Sequence, residues 1–323
     1  GVGHLAGSSL TTGDDNTYLG FSAGFTNTAA SDNTAVGFQA LYSATTGHSI
    51  TALGHNALFN NTTAIQNTAV GMNALQGATT GGENTAIGQD ALKTCSTGTN
   101  NVAAGKNSLD AVTTGSTNVG LGYSAGGYIT EGFDNTCVGD TTGIVLSTGD
   151  NNLLVGHDAG RTGSPGGALT TANNFLCLGD ENIANAHIQV DWTVASDQRD
   201  KTDFRDLDVG LDFVNGLVPV TYKWDKRSKY GDKDDDDYDI STITHDGTHK
   251  EDWLDVGFKA QEVEALEKAA GYKLSDKTNL TTTLSDDGKQ YGLQYTKFIP
   301  ILVKAVQELS AKNDTLETAN TAL

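Results

Sequence analysis

Basic residues are nearly absent from the first part of this chain. Of the 20 Lys and Arg in 323 residues, three lie in residues 1–190, against 13 of the 40 Asp and Glu. Residues 191–323 therefore hold the other 17 basic and 27 acidic residues, so each part has a formal net charge of −10. This balance excludes the basic surface that binds nucleic acid, and it argues against anionic membrane surfaces.

Cysteines and long apolar runs are also scarce. Cys95, Cys137 and Cys177 are far apart and lack the spacing of metal ligands, which predicts small buried residues instead of a metal or redox site. No apolar run reaches the roughly 18 residues that a membrane helix needs, and no secretory signal is recognisable. The sequence starts at Gly1 instead of Met, as is typical of a fragment or a processed product.

A glycine that returns every 17 residues dominates residues 1–156. The surrounding phrase is Asn-Thr-Ala-Val-Gly at 33–37 and 67–71, and nearly the same at 84–88. A fixed period with a fixed residue pattern indicates one structural unit stacked many times. The repeat glycines are Gly3, Gly20, Gly37, Gly54, Gly71, Gly88, Gly105, Gly122, Gly139 and Gly156.

Each repeat predicts two short strands and two tight corners. The first strand alternates polar and small apolar residues, which is the pattern of a strand with one buried face. Segments such as Ala40–Ser43 predict the second strand, and Thr-Thr-Gly runs predict the corners. The central glycine indicates backbones that approach too closely for a side chain. Because one repeat has few large apolar residues, a single chain would have a poor core, and three chains around one axis would supply a better one.

The repeats resemble the head repeats of trimeric autotransporter adhesins and the repeat shafts of phage tail fibres. This resemblance implies a mainly β fold: a trimeric parallel β-solenoid or β-roll over residues 1–190. Calcium-binding nonapeptide repeats are a rival, but their Gly-Gly-x-Gly-x-Asp rows are missing. A sugar-cleaving β-helix is another; it needs a carboxylate pair, whereas the acidic residues are scattered at corners. The 17-residue period breaks after Gly156, and Ile188–Val194 predicts a closing strand.

Four segments in the second part carry a sharper signal. The first runs from Ala195 through Ser196 to Lys201 and Phe204, and the others are 220–224, 256–264 and 291–309. Together they closely resemble the intramolecular-chaperone serine peptidase domain at the C-terminus of phage tail fibres, tailspikes and endosialidases. The resemblance extends over residues 191–312 and implies a small α+β domain that trimerises, drives folding of the preceding fibre and then cuts itself off.

The resemblance also assigns a site. It implies cleavage of the Ala195–Ser196 bond, with Ser196 as the nucleophile and Lys201 as its general base. A lysine needs burial to lower its pKa from about 10.4 before it can take the serine proton. Asp200 stands where relatives carry an apolar residue, and a carboxylate there opposes this role of the lysine. The alternative without catalysis is that the pair forms only a polar strand-to-helix junction.

Two polar clusters outside this site predict no ligand. The acidic run 231–239 reads as a solvated loop because it lacks the ligand spacing of an EF-hand. His245 and His249 lie in Gly- and Thr-rich sequence that does not favour a helix, so we expect no metal site there. We expect no cofactor anywhere in the chain.

The C-terminus predicts a coiled-coil helix, with residues 313–323 as an extension beyond the chaperone domain. Leucines at 302, 309, 316 and 323 are seven apart, and Ile299, Val306, Asn313 and Asn320 fill the other seam. Asparagines in a seam fix register at a cost in stability. The seam residues that we expect to associate are Leu302, Val306, Leu309, Asn313 and Leu316.

These observations favour the distal part of a homotrimeric phage tail fibre or spike that attaches to a host. Its expected partners are two further copies, a host surface receptor or glycan, and an upstream fibre or baseplate protein, with no nucleic acid and no membrane insertion. It would assemble in the host cytoplasm and reside on the virion. Any enzymatic activity would be self-cleavage at most, without turnover of external substrates. The alternative is a bacterial trimeric surface adhesin with a retained, non-cleaving C-terminal cap.

Overall fold

The computed structural model describes residues 1–233, 235 and 237–322. The chain divides into two compact units, Gly1–Ile183 and Ala184–Leu323. None of the helices in these described residues is both long and apolar enough to span a membrane.

The first unit is a parallel β-solenoid. Its ten strands pair in chain order to form one sheet, and eight successive 17-residue steps lead from β1 to β9. The strands are β1 (Thr17–Leu19), β2 (Thr34–Val36), β3 (Thr51–Leu53), β4 (Thr68–Val70), β5 (Thr85–Ile87), β6 (Val102–Ala104), β7 (Val119–Leu121), β8 (Thr136–Val138), β9 (Leu153–Val155) and β10 (Leu176–Leu178). The predicted mainly β solenoid is therefore confirmed.

Buried asparagines link successive turns. The Asn84 side chain is fully buried, accepts a hydrogen bond from the Asn101 backbone N–H at 2.9 Å and donates to the Gly98 carbonyl at 2.9 Å. Asn101 makes the same contacts with Asn118 and with Gly115. A buried backbone group must be paired. At the corners, where no strand pairing is available, the asparagine side chains therefore bond the backbone groups of the next turn.

The repeat glycines lie where the backbones of adjacent turns meet, as predicted. A Cβ built on Gly54 would lie 2.4 Å from the carbonyl oxygen of Gly71, and Gly54 has φ +142°. Both the distance and the backbone conformation therefore demand glycine.

The prediction of a second strand in each repeat is wrong. The segment after the repeat glycine forms consecutive turns, because Gln39 and Leu41 have left-handed φ values of 51° and 53°. A β-strand cannot contain such residues. The apolar pair Ala40 and Leu41 is nevertheless fully buried, as the pattern indicated.

The expectation of a poor single-chain core is also wrong. The second-segment leucines Leu41, Leu58, Leu75 and Leu92 are fully buried, together with the strand-centre alanines, within one chain. Cys137 and Cys177 replace these alanines and are buried, which confirms their interpretation as packing residues. Burial raises the pKa of the Cys137 thiol to about 12.

The solenoid becomes irregular after β9, as predicted, and reaches β10 after 23 residues. Beyond β10, the predicted closing strand at Ile188–Val194 is wrong: these residues form no strand in the described structure. Apolar and polar residues alternate in this segment, but the apolar Val190, Trp192 and Val194 are 70–78% exposed.

The second unit is a small α/β region. It contains α1 (Leu211–Gly216), β11 (Val220–Tyr222), β12 (Asp255–Gly257), α2 (Ala260–Ala269), β13 (Thr282–Leu284), β14 (Tyr291–Leu293) and α3 (Phe298–Thr321). β11 pairs antiparallel with β12, and β13 with β14. The core brings together Val209, Phe213, Val263, Phe298 and Ile301.

Candidate functional site

A tight turn shapes the motif that starts at Ala195. The turn is a single 3₁₀ segment, Gln198–Asp200, and the side chain of Asp197 caps it by accepting from the Arg199 N–H at 2.9 Å. The Arg199 guanidinium also donates to Asp197, at 2.6 Å. These hydrogen bonds hold the pKa of the Asp197 carboxyl below its usual value.

The turn places the two residues that the resemblance assigned to catalysis side by side. Lys201 Nζ lies 2.5 Å from Ser196 Oγ, within reach of a direct proton transfer. Ala195, Ser196 and Lys201 are all exposed in the single chain. The arrangement has the geometry of a nucleophile and its base, whereas the burial that a neutral lysine requires would have to come from another surface.

The other segments of the motif meet around an aromatic cluster. Phe258, which follows β12, lies 5.4 Å from Phe298 and 6.2 Å from Tyr295, measured between ring centroids. The Tyr295 hydroxyl also accepts from the Phe258 backbone N–H at 3.2 Å. The structure therefore unites the segments 256–264 and 291–309 in one core, next to the β11–β12 pair that contains Val220–Tyr222.

A buried carboxylate organises the same core. Glu267 on α2 is 1% exposed and accepts five hydrogen bonds from the backbone N–H groups of 280–282 and the hydroxyls of Thr281 and Thr282. Burial raises the pKa of Glu267, but these hydrogen bonds outweigh it, so that its pKa falls below the usual value. Nothing in the sequence pattern marked this residue, because its donors are 13–15 residues away.

The C-terminal helix has two apolar faces. Phe298, Ile301 and Ala305 are buried. The second face remains exposed: Leu302 is 46% exposed, Val306 64%, Leu309 55% and Leu316 69%. Asn313 is also exposed, whereas Leu323 lies outside the described residues. The predicted seam therefore exists as a surface of a single chain.

The remaining polar clusters differ in what they bring together. Asp235 and Asp237 of the acidic run are exposed, and Asp234 and Asp236 lie outside the described residues. The ring of His249 packs edge-on against Tyr230 at 4.7 Å. A different group was not predicted: His157, Asp158 and Asp180 place potential metal-ligand atoms within 4.8 Å of one another.

Comparison with known proteins identifies part of the second unit. Residues 196–272 match the family model described as Chaperone of endosialidase, and the match begins at Ser196. No curated protein and no solved structure matches the chain. The match covers the first three motif segments, while 291–309 lies beyond it and rests on the motif resemblance alone. A β-solenoid followed by a C-terminal chaperone domain supports a tail-fibre-like protein.

Proposed function

We propose that the chain is the distal part of a homotrimeric phage tail fibre or spike, in which residues 1–190 contact the host and residues 191–312 serve as a trimerisation chaperone. The observation that carries this proposal is the chaperone match, which starts at the serine of an assembled Ser196–Lys201 pair. A host receptor or glycan and an upstream fibre protein complete the set of proposed partners.

Exposed apolar surfaces in both units support self-association. In the solenoid, the residue before each repeat glycine points outward, and Leu53, Ile87 and Leu178 are 44–51% exposed. Monomeric proteins rarely expose a long contiguous row of apolar side chains. Further copies of the chain would cover this row. The exposed seam of α3 repeats every seven residues, which is the spacing of a coiled coil.

The unpaired segment Ile188–Val194 supports the same conclusion. Its residues alternate like a strand, yet they have no partner strand among the described residues. A segment with exposed Val190, Trp192 and Val194 can bury these side chains against another chain. This also explains why a single chain leaves a predicted strand unformed.

A trimer would hold the solenoid repeats in register. The repeats are nearly identical, so a slip by one whole turn costs little energy. A C-terminal domain that assembles first would align three chains before the solenoid forms. Release by cleavage at Ala195–Ser196 would then make assembly irreversible.

The alternative is a surface adhesin that retains its cap. The exposure of Lys201 favours it, because a general-base lysine needs a desolvated environment. Mass spectrometry of the purified chain under denaturing conditions distinguishes the two: cleavage gives a fragment that begins at Ser196, and a retained cap gives the intact mass.

Sedimentation of the full chain and of residues 1–190 tests the chaperone role. We expect a trimer for the full chain and aggregation or poor folding for residues 1–190 alone. A full chain that stays monomeric at micromolar concentration would contradict self-association. Prompt folding of residues 1–190 into soluble trimers would show that the second unit is unnecessary.

A further inference from the structure

The irregular end of the solenoid carries a cluster of ligand-type side chains from neighbouring turns. His157 and Asp158 follow β9, and Asp180 follows β10. His157 Nδ1 lies 3.2 Å from Asp180 Oδ2 and 3.8 Å from Asp158 Oδ2. This cluster lies wholly within the first unit, outside the Ser196–Lys201 site.

The two carboxylates are buried, whereas several acidic residues at other corners are exposed. Asp158 is 8% exposed and Asp180 is 7% exposed, whereas Asp15, Asp32 and Glu83 are exposed. A buried carboxylate is costly unless a cation or hydrogen-bond donors compensate it. This region has one nearby arginine, Arg161, whose Nη1 lies 3.4 Å from Asp158 Oδ1.

Each carboxylate also accepts hydrogen bonds from the chain, which fix its orientation. The Thr141 hydroxyl donates to Asp158 Oδ1 at 2.6 Å. The Asn182 backbone N–H donates to Asp180 Oδ1 at 2.9 Å, and its amide donates to Asp180 Oδ2 at 2.8 Å.

The far side of the imidazole also has a partner. His157 Nε2 lies 3.7 Å from Asp140 Oδ2, on the turn that follows β8. When Nδ1 binds a metal, the proton resides on Nε2 and faces that carboxylate. Metal-binding histidines commonly donate to a carboxylate behind them, which fixes the tautomer and strengthens the ligand, and Asp140 would reach hydrogen-bond distance after a shift of less than about 1 Å.

We propose that His157, Asp158 and Asp180 bind a divalent transition-metal cation of the zinc type. One imidazole nitrogen and two carboxylate oxygens suit this class of cation, whereas calcium and magnesium prefer oxygen alone. Ligand atoms around tetrahedral zinc are about 3.4 Å apart, close to the separations from Nδ1. A bound cation would join the β9 turn to the β10 turn across the irregular 23-residue step.

The repeat supplies a matched control. His55 follows Gly54 just as His157 follows Gly156, but its ring stacks on Phe38 at 5.0 Å. His157→Gln removes the proposed nitrogen ligand, and Asp180→Asn removes one charge with little change in shape. His55→Gln tests whether any exposed histidine that follows a repeat glycine contributes to zinc binding.

Isothermal titration calorimetry of zinc into the chelator-stripped full chain tests the proposal. We expect wild type and His55→Gln to bind one more zinc per chain than His157→Gln, and Asp180→Asn to lose at least tenfold in affinity. The proposal would be overturned if wild type and His157→Gln bound the same amount of zinc. It would also be overturned if His55→Gln lost as much zinc as His157→Gln, because exposed histidines in general would then hold the metal.

Cobalt absorption of wild type gives an answer that does not depend on how the variants fold. A site with imidazole and carboxylate ligands gives visible bands that one equivalent of zinc displaces. A spectrum of hydrated cobalt only would overturn the proposal. Neither readout involves cleavage or trimer formation, so this test is separate from that of the proposed function.

Discussion

The α-carbon of Gly71 faces the carbonyl of Gly88 so closely that a Cβ on Gly71 would lie 2.4 Å from that oxygen. The same relationship joins Gly54 to Gly71 and Gly88 to Gly105, with distances of 2.4 and 2.5 Å. The close approach of successive turns thus requires glycine, and this is why the repeat glycine recurs without a gap from Gly3 to Gly156.

Replacing one repeat glycine should unfold the solenoid locally. For Gly71→Ala we expect a loss of at least about 2–3 kcal/mol, because a non-glycine residue is strained at φ +138° and its Cβ also clashes. Thermal melting followed by far-UV circular dichroism measures the effect. Thr68→Ala, on strand β4 that leads into Gly71, is the control and should cost less than about 1 kcal/mol. Equal melting temperatures for the two variants would contradict the close approach.

The asparagine ladder predicts a second large effect. Asn84→Ala would leave the buried Asn101 N–H without a partner, and the Gly98 carbonyl would keep only the weak hydrogen bond from the Cys95 thiol at 3.6 Å. An unpaired buried N–H costs about 1–3 kcal/mol, and the weakened carbonyl interaction adds to this loss. Asn60→Ala, at an exposed position, should change stability little. Urea denaturation of both variants checks this, and an Asn84→Ala variant as stable as Asn60→Ala would mean that water replaces the side chain.

The sequence predicted the features that depend on strict repetition. Period, strand position, buried alanines and the role of Gly54 all followed from the pattern, because a fixed residue at a fixed step has a fixed environment. The second strand failed at Gln39 and Leu41, since left-handed backbone in a non-glycine residue leaves no mark in residue type. Ile188–Val194 failed because its alternation describes a face to be buried, and the chain alone offers nothing that buries it.

The candidate site was predictable only through its motif. Ser196 and Lys201 are five residues apart, so a local turn is sufficient to bring them together. Glu267 and the His157 cluster depend on contacts between distant segments. The sequence does contain a signal for this cluster. Asp140, His157 and Asp180 each directly follow a glycine of the repeat, if Gly179 is counted as the repeat glycine after the 23-residue step.

The Glu267 carboxylate predicts acid sensitivity of the second unit. Its folded pKa is lowered, so its stabilisation is present above the unfolded pKa of about 4.3 and is lost as pH falls through the folded pKa. Glu267→Gln should cost about 1–3 kcal/mol at pH 7, with a smaller difference from wild type in acid.

Tryptophan fluorescence reports on this unit specifically, because Trp192, Trp224 and Trp253 all lie in Ala184–Leu323. Glu262→Gln, which removes an exposed ion pair with Lys259, is the matched control and should change stability by less than about 1 kcal/mol. A gap between Glu267→Gln and wild type that stays constant from pH 7 to pH 3 would show that the charge of Glu267 is not what stabilises the fold.

The Ser196–Lys201 pair makes the last prediction, which separates a working site from a polar turn. If the chain cleaves itself, Ser196→Ala and Lys201→Ala should stop cleavage and leave the oligomer folded, since both side chains are exposed. Asp200→Leu should speed cleavage, because a leucine beside Lys201 would help to shield the amine from water, whereas the carboxylate keeps it solvated. Intact-mass spectrometry over time at several pH values gives the rates, and Asp206→Leu controls for loss of a nearby exposed carboxylate. If Asp200→Leu and wild type share one rate and one pH profile, Asp200 does not act on the lysine; if both alanine variants fail to fold, the pair is structural.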